Sequence, residues 1–277
     1  MSNWISSIAG LSLVLMCLTA SPAKATFILY DQNFENPTGF VNDGGDINIF
    51  RTVNQLYGNQ PPGFTFAQNF TVETLLITGN RAFGTGYSDP QGIGGNYALG
   101  MLSTLQNDFL SLSFNVQGQP FLNFRLNISS IDLDRFSGPF NSTGAVPVFE
   151  LTLFDNPSGA TGLSGNGTIL DVERITGVAS SSRTVFNWTE HTLALDARGS
   201  TNGNVTIRID LLNTQGSGYA AMDNFRIAAS NTPGDVGDTN PVPAPASITL
   251  LGIGLAVMLV ARRNTRGPRD SRVAAWL

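Results

Sequence analysis

Catalysis needs side chains that attack, carry protons or hold metals, and this 277-residue chain offers few. Its one histidine, His191, stands in Trp188-Thr189-Glu190-His191-Thr192, and a Ser-His-Asp triad would have to be built around it. No Gly-x-Ser-x-Gly motif marks the nucleophile of such a triad. Zinc sites need several His or Cys ligands, and with one His and the single Cys17 none can be assembled. Paired carboxylates are the remaining device. Asp132 and Asp134 alternate along Ile131-Asp132-Leu133-Asp134 and share one strand face at about 7 Å, inside the roughly 5 to 10 Å that a glycosidase sets between its two acids. Alternating acids on a solvent face produce the same pattern. No catalytic residue is therefore assigned, and a surface glycoside hydrolase using paired carboxylates is the alternative. Trp188 either stacks on a sugar or fills a core. Gly92-Ile93-Gly94-Gly95 lacks the following helix and lysine that a phosphate cradle requires.

These residues must be positioned by strands. Phe124, Leu126 and Ile128 alternate with Arg125, Asn127 and Ser129, and Val205, Ile207, Ile209 and Leu211 with Thr206, Arg208 and Asp210. Further strands are expected at Phe27 to Tyr30, Ile47 to Val53, Ala67 to Ile77, Tyr97 to Leu102 and Phe109 to Val116. Others are expected at Val148 to Phe154, Ile169 to Ile175, Arg183 to Leu195 and Ala220 to Ala228. Turn signals such as Asp43-Gly44-Gly45 and Asn202-Gly203 separate them, and no capped amphipathic helix interrupts them. The expected fold is all-β, an antiparallel β-sandwich over residues 26–229. Ser230 to Pro241, rich in Gly, Pro, Asp and Thr, reads as a flexible linker.

The chain ends carry an address. Ile5 to Leu18 is an apolar stretch, and Ala23-Lys24-Ala25 is a small-residue cleavage pattern for signal peptidase, so residues 1–25 read as a signal peptide and Thr26 as the mature N-terminus. The mature chain then has no cysteine and no disulfide. At the other end stand Val242, Pro243, Ala244 and Pro245, then an apolar run of 14 residues from Ile248 to Ala261, broken only by Thr249, then Arg262 and Arg263. As a helix that run spans about 21 Å, short of the ~30 Å hydrocarbon core, and so is a marginal transmembrane anchor. The prolines stop the helix from growing upstream, and the arginines act as a stop at the cytoplasmic face. This order of parts resembles the PEP-CTERM sorting signal of Gram-negative bacteria, over residues 242–266 with a cytoplasmic tail at 267–277. Ala244 departs from the glutamate usual there, and the tail runs on where the family usually stops. The resemblance implies exosortase as processing partner and a role at the cell surface or in an extracellular or biofilm matrix.

Residues 26–241 hold 9 Arg, no Lys and 19 acids, a net charge of −10. Such a surface repels nucleic acid, which is excluded as a partner. Gln32-Asn33-Phe34-Glu35 and Ala221-Met222-Asp223-Asn224-Phe225-Arg226-Ile227 resemble the first and last strands of jelly-roll domains of the carbohydrate-binding-module and galactose-binding-like kind. That resemblance implies a polysaccharide ligand, and a structural Ca²⁺ held by Glu35 and Asp223 with backbone carbonyls. Without it, Asp223-Asn224 reads as a turn or bulge pair bonding its own backbone.

Overall fold

The protein was analysed as a computed structural model, which describes residues 26–42, 47–48, 50–58, 65–68, 72–77, 87–103, 108–131, 146–160, 167–179, 185–212 and 218–237. They belong to one compact unit, Lys24–Asp238. Among the described residues period-two alternation becomes twelve strands: β1 (Phe27–Gln32), β2 (Ile47–Asn48), β3 (Thr65–Gln68), β4 (Glu73–Leu76), β5 (Tyr97–Ser103), β6 (Phe109–Asn115), β7 (Phe121–Ile131), β8 (Val148–Asp155), β9 (Ile169–Thr176), β10 (Thr189–Asp196), β11 (Asn204–Leu212) and β12 (Gly218–Ser230). They form two antiparallel sheets, one ordered β10-β7-β12-β5-β4-β2 with β1 also on β12, the other β3-β6-β11-β8-β9.

The apolar sides of both sheets meet. Val205, Ile207, Ile209 and Leu211 of β11 are fully buried, as are Phe124, Leu126 and Ile128 of β7. Burying each such side chain stabilises by roughly 1.5–3 kcal/mol. Phe34 packs edge-on against Tyr57 and Phe225, and Phe225 edge-on against Phe124. That aromatic chain roots the loop after β1 in the core.

β12 organises the larger sheet. Its thirteen residues keep β7 on one side, while on the other Gly218–Met222 pair with β5 and Phe225–Ala229 with β1. The partner changes at Asp223 and Asn224, where the register shifts and Asn224 adopts φ 54°. Asn tolerates that left-handed conformation better than most residues, which suits it to a bulge.

Three expected elements differ. Ala67 to Ile77 is divided: β3 joins the smaller sheet and β4 the larger, because a chain crossing between sheets must break its ladder. Of Ile47 to Val53 only Ile47–Asn48 is strand, and Val53–Leu56 makes one helical turn, α1, begun by the Thr52 N–H bond to Gln55 Oε1 at 3.0 Å. Before β10, Val185 makes an isolated bridge to Ser88, and the strand starts at Thr189.

Ser230–Gly237 also differs from the expected linker. Asn123 Nδ2 donates to the carbonyls of Thr232 (3.1 Å) and Asp235 (2.9 Å), and Arg226 donates to those of Val236 (2.9 Å) and Gly237 (2.8 Å) and to Asp31. Val236 is buried, and Asp235 accepts from the hydroxyls of Thr26 and Ser230. These bonds satisfy backbone groups against the sandwich, so this stretch is part of the fold. Among the described residues no helix is long and apolar enough to cross a membrane, and the run Ile248 to Ala261 lies outside them.

Candidate functional site

Where β12 changes partner, Asp223 lies within reach of the charges of Glu35 and Asp89, residues of distant segments. After β1 the chain turns through Phe34 at φ 55°, with Phe34 N–H bonded to Gln32 Oε1 at 3.0 Å. The Glu35 carboxylate then accepts from Asn96 N (2.8 Å), Asn96 Nδ2 (3.0 Å) and Tyr97 N (3.2 Å), tying the end of β1 to the start of β5. Gly95 makes this possible. It sits at φ +56°, and a Cβ there would lie 2.1 Å from Glu35 Oε1.

Asp223 is 1% exposed, and its Oδ1 accepts from Asn224 N at 2.7 Å. Burial pushes its pKa up to about 9, against the Asn224 hydrogen bond, and the charges of Glu35 and Asp89 push the same way. No ion pair among the described residues reaches it. Asp89 holds the overlying loop by accepting from Gln91 N (3.2 Å), Gly92 N (3.0 Å) and Gly94 N (2.9 Å). Asn224 Nδ2 joins that loop to the sheet, donating to the carbonyl of Ile93 at 3.1 Å and to Asn127 Oδ1 at 3.2 Å.

A buried carboxyl with acidic neighbours and no cationic partner lacks the positive charge that Ca²⁺ brings, and the nearby groups offer oxygen. Among the described residues no group of three acidic, His or Cys side chains is placed to hold a metal. Glu35 and Asp223, named from sequence, are brought to one junction. Asp89 and Asn96 were missed, and the only hint of the loop was Asp89 followed by glycines at 92, 94 and 95.

The other candidates separate. Trp188 is buried and stacks on Phe186 at 5.2 Å and 4°, with Gly94 so close that a Cβ there would lie 2.6 Å from its ring. It is a core residue beneath the 87–95 loop and no sugar platform. His191 lies opposite Leu126, its Nε2 is 3.2 Å from Thr189 Oγ1, and burial lowers its pKa. Asp132 and Asp134 lie outside the described residues, as do Ala23, Ala25, Val242, Pro243, Ala244, Pro245, Arg262 and Arg263.

A second arrangement crosses the outward face of the smaller sheet, and sequence reasoning did not single it out. Strand pairing aligns Phe109, Asp210, Glu150 and Arg174 in one row over β6, β11, β8 and β9. In the next row Arg208 stands between Ser111 and Thr152, its guanidinium 5.4 Å from the ring centroids of both Phe109 and Phe154. Arg208 Nε donates to Asp210 Oδ2 at 2.7 Å, and Arg174 Nη2 to Glu150 Oε2 at 2.6 Å. Burial raises the Asp210 pKa even so. Two rings thus hold one guanidinium in place amid paired donors and acceptors.

No protein-family model and no curated protein matches the chain. Solved structures are similar to it. The K3 cleaved adhesin domain of Lys-gingipain from Porphyromonas gingivalis shows 13% identity and a TM-score of 0.37, over 74% of this chain and 99% of that domain. A xylan-binding domain from CBM 22 shows 12% and 0.37, over 74% and 97%. The arabinose-bound MgGH51 α-L-arabinofuranosidase shows 9% and 0.39, over 72% of this chain and 26% of that enzyme. Likeness at this level carries no argument about ligand or activity. The two-sheet architecture rests on the strand pairing itself.

Proposed function

We propose that this is an exported, non-catalytic protein of the cell surface or extracellular matrix whose sandwich contacts polysaccharide, with Ca²⁺ as a structural ion. The outward row of the smaller sheet supports this most directly. Arg208, held between Phe109 and the buried Phe154 beside Asp210, offers a fixed guanidinium next to the half-buried ring of Phe109. Sugars need that combination, because each ring presents hydroxyls at its rim and C–H groups on its faces. Glu35 and Asp223 would hold the cation, which supplies the positive charge missing at the junction and so braces β1, β5 and β12.

Export rests on the signal-peptide pattern, and sorting on Val242 to Pro245 with Arg262 and Arg263. In this reading signal peptidase cuts before Thr26, exosortase acts near the Pro motif and the C-terminal helix anchors the chain in the membrane at least transiently. A glycan array with the exported protein tests the ligand. Saturable binding without product release, lost in Arg208→Ala, is expected. Binding unchanged in Arg208→Ala refutes the sheet face as its site, and release of sugar refutes the non-catalytic reading.

A further inference from the structure

Where the mature chain would begin, it meets the turn that follows its last strand. β1 and β12 pair Phe27 with Ala229 and Ile28 with Ala228, so Thr26 lies beside the end of β12. The turn Ser230–Gly237 packs back onto this place. Gly237 sits at φ +70°, and a Cβ there would lie 3.2 Å from Ile28 Cγ1 and 3.3 Å from Thr26 Cγ2. Gly234 N donates to Asn123 Oδ1 at 2.8 Å, and Thr232 N to Ser230 Oγ at 3.0 Å. One carboxylate gathers the remaining bonds. Asp235 accepts from Thr26 Oγ1, from Ser230 Oγ at 3.0 Å and from Gly237 N at 3.0 Å.

All three donors are neutral. The Thr26 hydroxyl first, with Gly237 N and Ser230, holds this half-buried carboxyl below the usual carboxylate range against the effect of burial, so it is ionised at pH 7. No ion pair among the described residues includes it. Arg226 spends its guanidinium on the Val236 and Gly237 carbonyls and on Asp31. Cleavage of the precursor makes a cation at this spot. Hydrolysis of the Ala25 to Thr26 bond leaves a carboxylate on Ala25 and an amine on Thr26, mostly protonated at pH 7 because its ordinary pKa is ~7.7–8.0. The nitrogen and hydroxyl of one threonine are ~3–4 Å apart by covalent geometry, and the hydroxyl is already bonded to Asp235, so the ammonium arises within about 6 Å of the carboxylate. Opposite charges at that range favour each other's ionised form. Before cleavage the same nitrogen is a neutral amide.

We propose that removal of the signal peptide closes a latch, in which the new ammonium of Thr26 takes Asp235 as its counter-ion and holds Ser230–Gly237 against the sandwich. The latch requires the proposed cut before Thr26. It couples processing at one end of the chain to the docking of the turn that leads, in sequence, towards Val242 and Pro243 at the other.

Lys24 is the only lysine in the sequence and lies upstream of the cut, so the α-amine of Thr26 is the only primary amine of the mature chain and can be modified alone. The exported protein is acetylated there, which removes the charge, or reductively dimethylated, which keeps the charge and adds similar bulk. Hydrogen exchange at amides 232–237 should quicken about two- to fivefold on acetylation, the range that a half-exposed ion pair supports, and stay as it is on dimethylation. In Asp235→Asn the two modified forms should exchange alike. A first residue other than Thr26, read by N-terminal sequencing, overturns the cut and the latch together. With Thr26 first, equal exchange after acetylation and dimethylation overturns the latch alone, and a difference that persists in Asp235→Asn overturns Asp235 as the counter-ion.

Discussion

Asp223→Asn isolates the charge of one buried carboxyl at the centre of the junction. In the folded protein that carboxyl holds its proton up to about pH 9, because burial and the charges of Glu35 and Asp89 oppose ionisation. In the unfolded chain an Asp ionises near ~3.9. Between these values the folded state keeps a proton that the unfolded state has released. The contribution is therefore complete below about pH 4 and is lost as pH rises towards 9. From pH 4 to pH 7 about three units are traversed at ~1.4 kcal/mol each, on the order of 4 kcal/mol. That is a large share of the ~5–15 kcal/mol by which domains are stable. Asn has the same shape as the neutral acid, its Oδ1 can still accept from Asn224 N–H, and it does not titrate. Urea unfolding in chelator, followed by fluorescence of the buried Trp188, should find the variant and wild type equal near pH 4, and the variant more stable by several kcal/mol at pH 7. Calcium should then restore the wild type, by ~2.7 kcal/mol at one hundred times its Kd, and leave the variant unmoved. A difference between the two proteins that is the same at pH 4.5 and pH 7 would falsify the account of Asp223.

Calcium must displace the Asp223 proton to bind, so its affinity should fall about tenfold per pH unit below 9, readable by calorimetry with proton release in buffers of different ionisation heat. Flat affinity from pH 6 to 8 would exclude Asp223 as a ligand. Gly95→Ala puts a methyl group onto the Glu35 carboxylate at a backbone angle of φ +56° and should cost about 1–3 kcal/mol in urea unfolding, whereas Gly92→Ala, with open space around it, should cost only the strain of φ +64°. Equal losses would show that the Glu35 contact is dispensable. Arg226→Ala removes bonds to Val236, Gly237 and Asp31 and should expose amides 232–237 to hydrogen exchange while β12 stays protected. Mass spectrometry of the C-terminus in the native host should find wild type cut near Pro243-Ala244-Pro245, and Pro243→Leu with Pro245→Leu uncut. Wild type retaining Trp276-Leu277 at steady state would sink the sorting reading.

Alternation is a local property, and strands written with it were legible residue by residue. Val205 to Leu211 and Phe124 to Ile128 declare both their strand and their buried side, because consecutive side chains of any strand leave on opposite faces. Where a strand stops depends on partners, which is why Ala67 to Ile77 could not be divided between two sheets from its own residues. The junction is further still from local reading. The charges of Glu35 and Asp89 reach Asp223 only because β12 exchanges β5 for β1 at Asn224, and the raised pKa of Asp223 arises only when the surrounding sheet excludes water. The same holds for Ser230–Gly237, whose composition suggests a free linker. Backbone carbonyls there find Arg226 and Asn123, donors that no sequence pattern places beside them. The row on the smaller sheet combines both cases: Arg208 and Asp210 share a face by their spacing of two, but only the pairing of β11 with β6 and β8 puts Phe109 and Phe154 on either side of the guanidinium. Spacing within a strand settles which face a residue serves, and hydrogen-bonded register between strands, a property of residues far apart in the chain, settles what it serves beside.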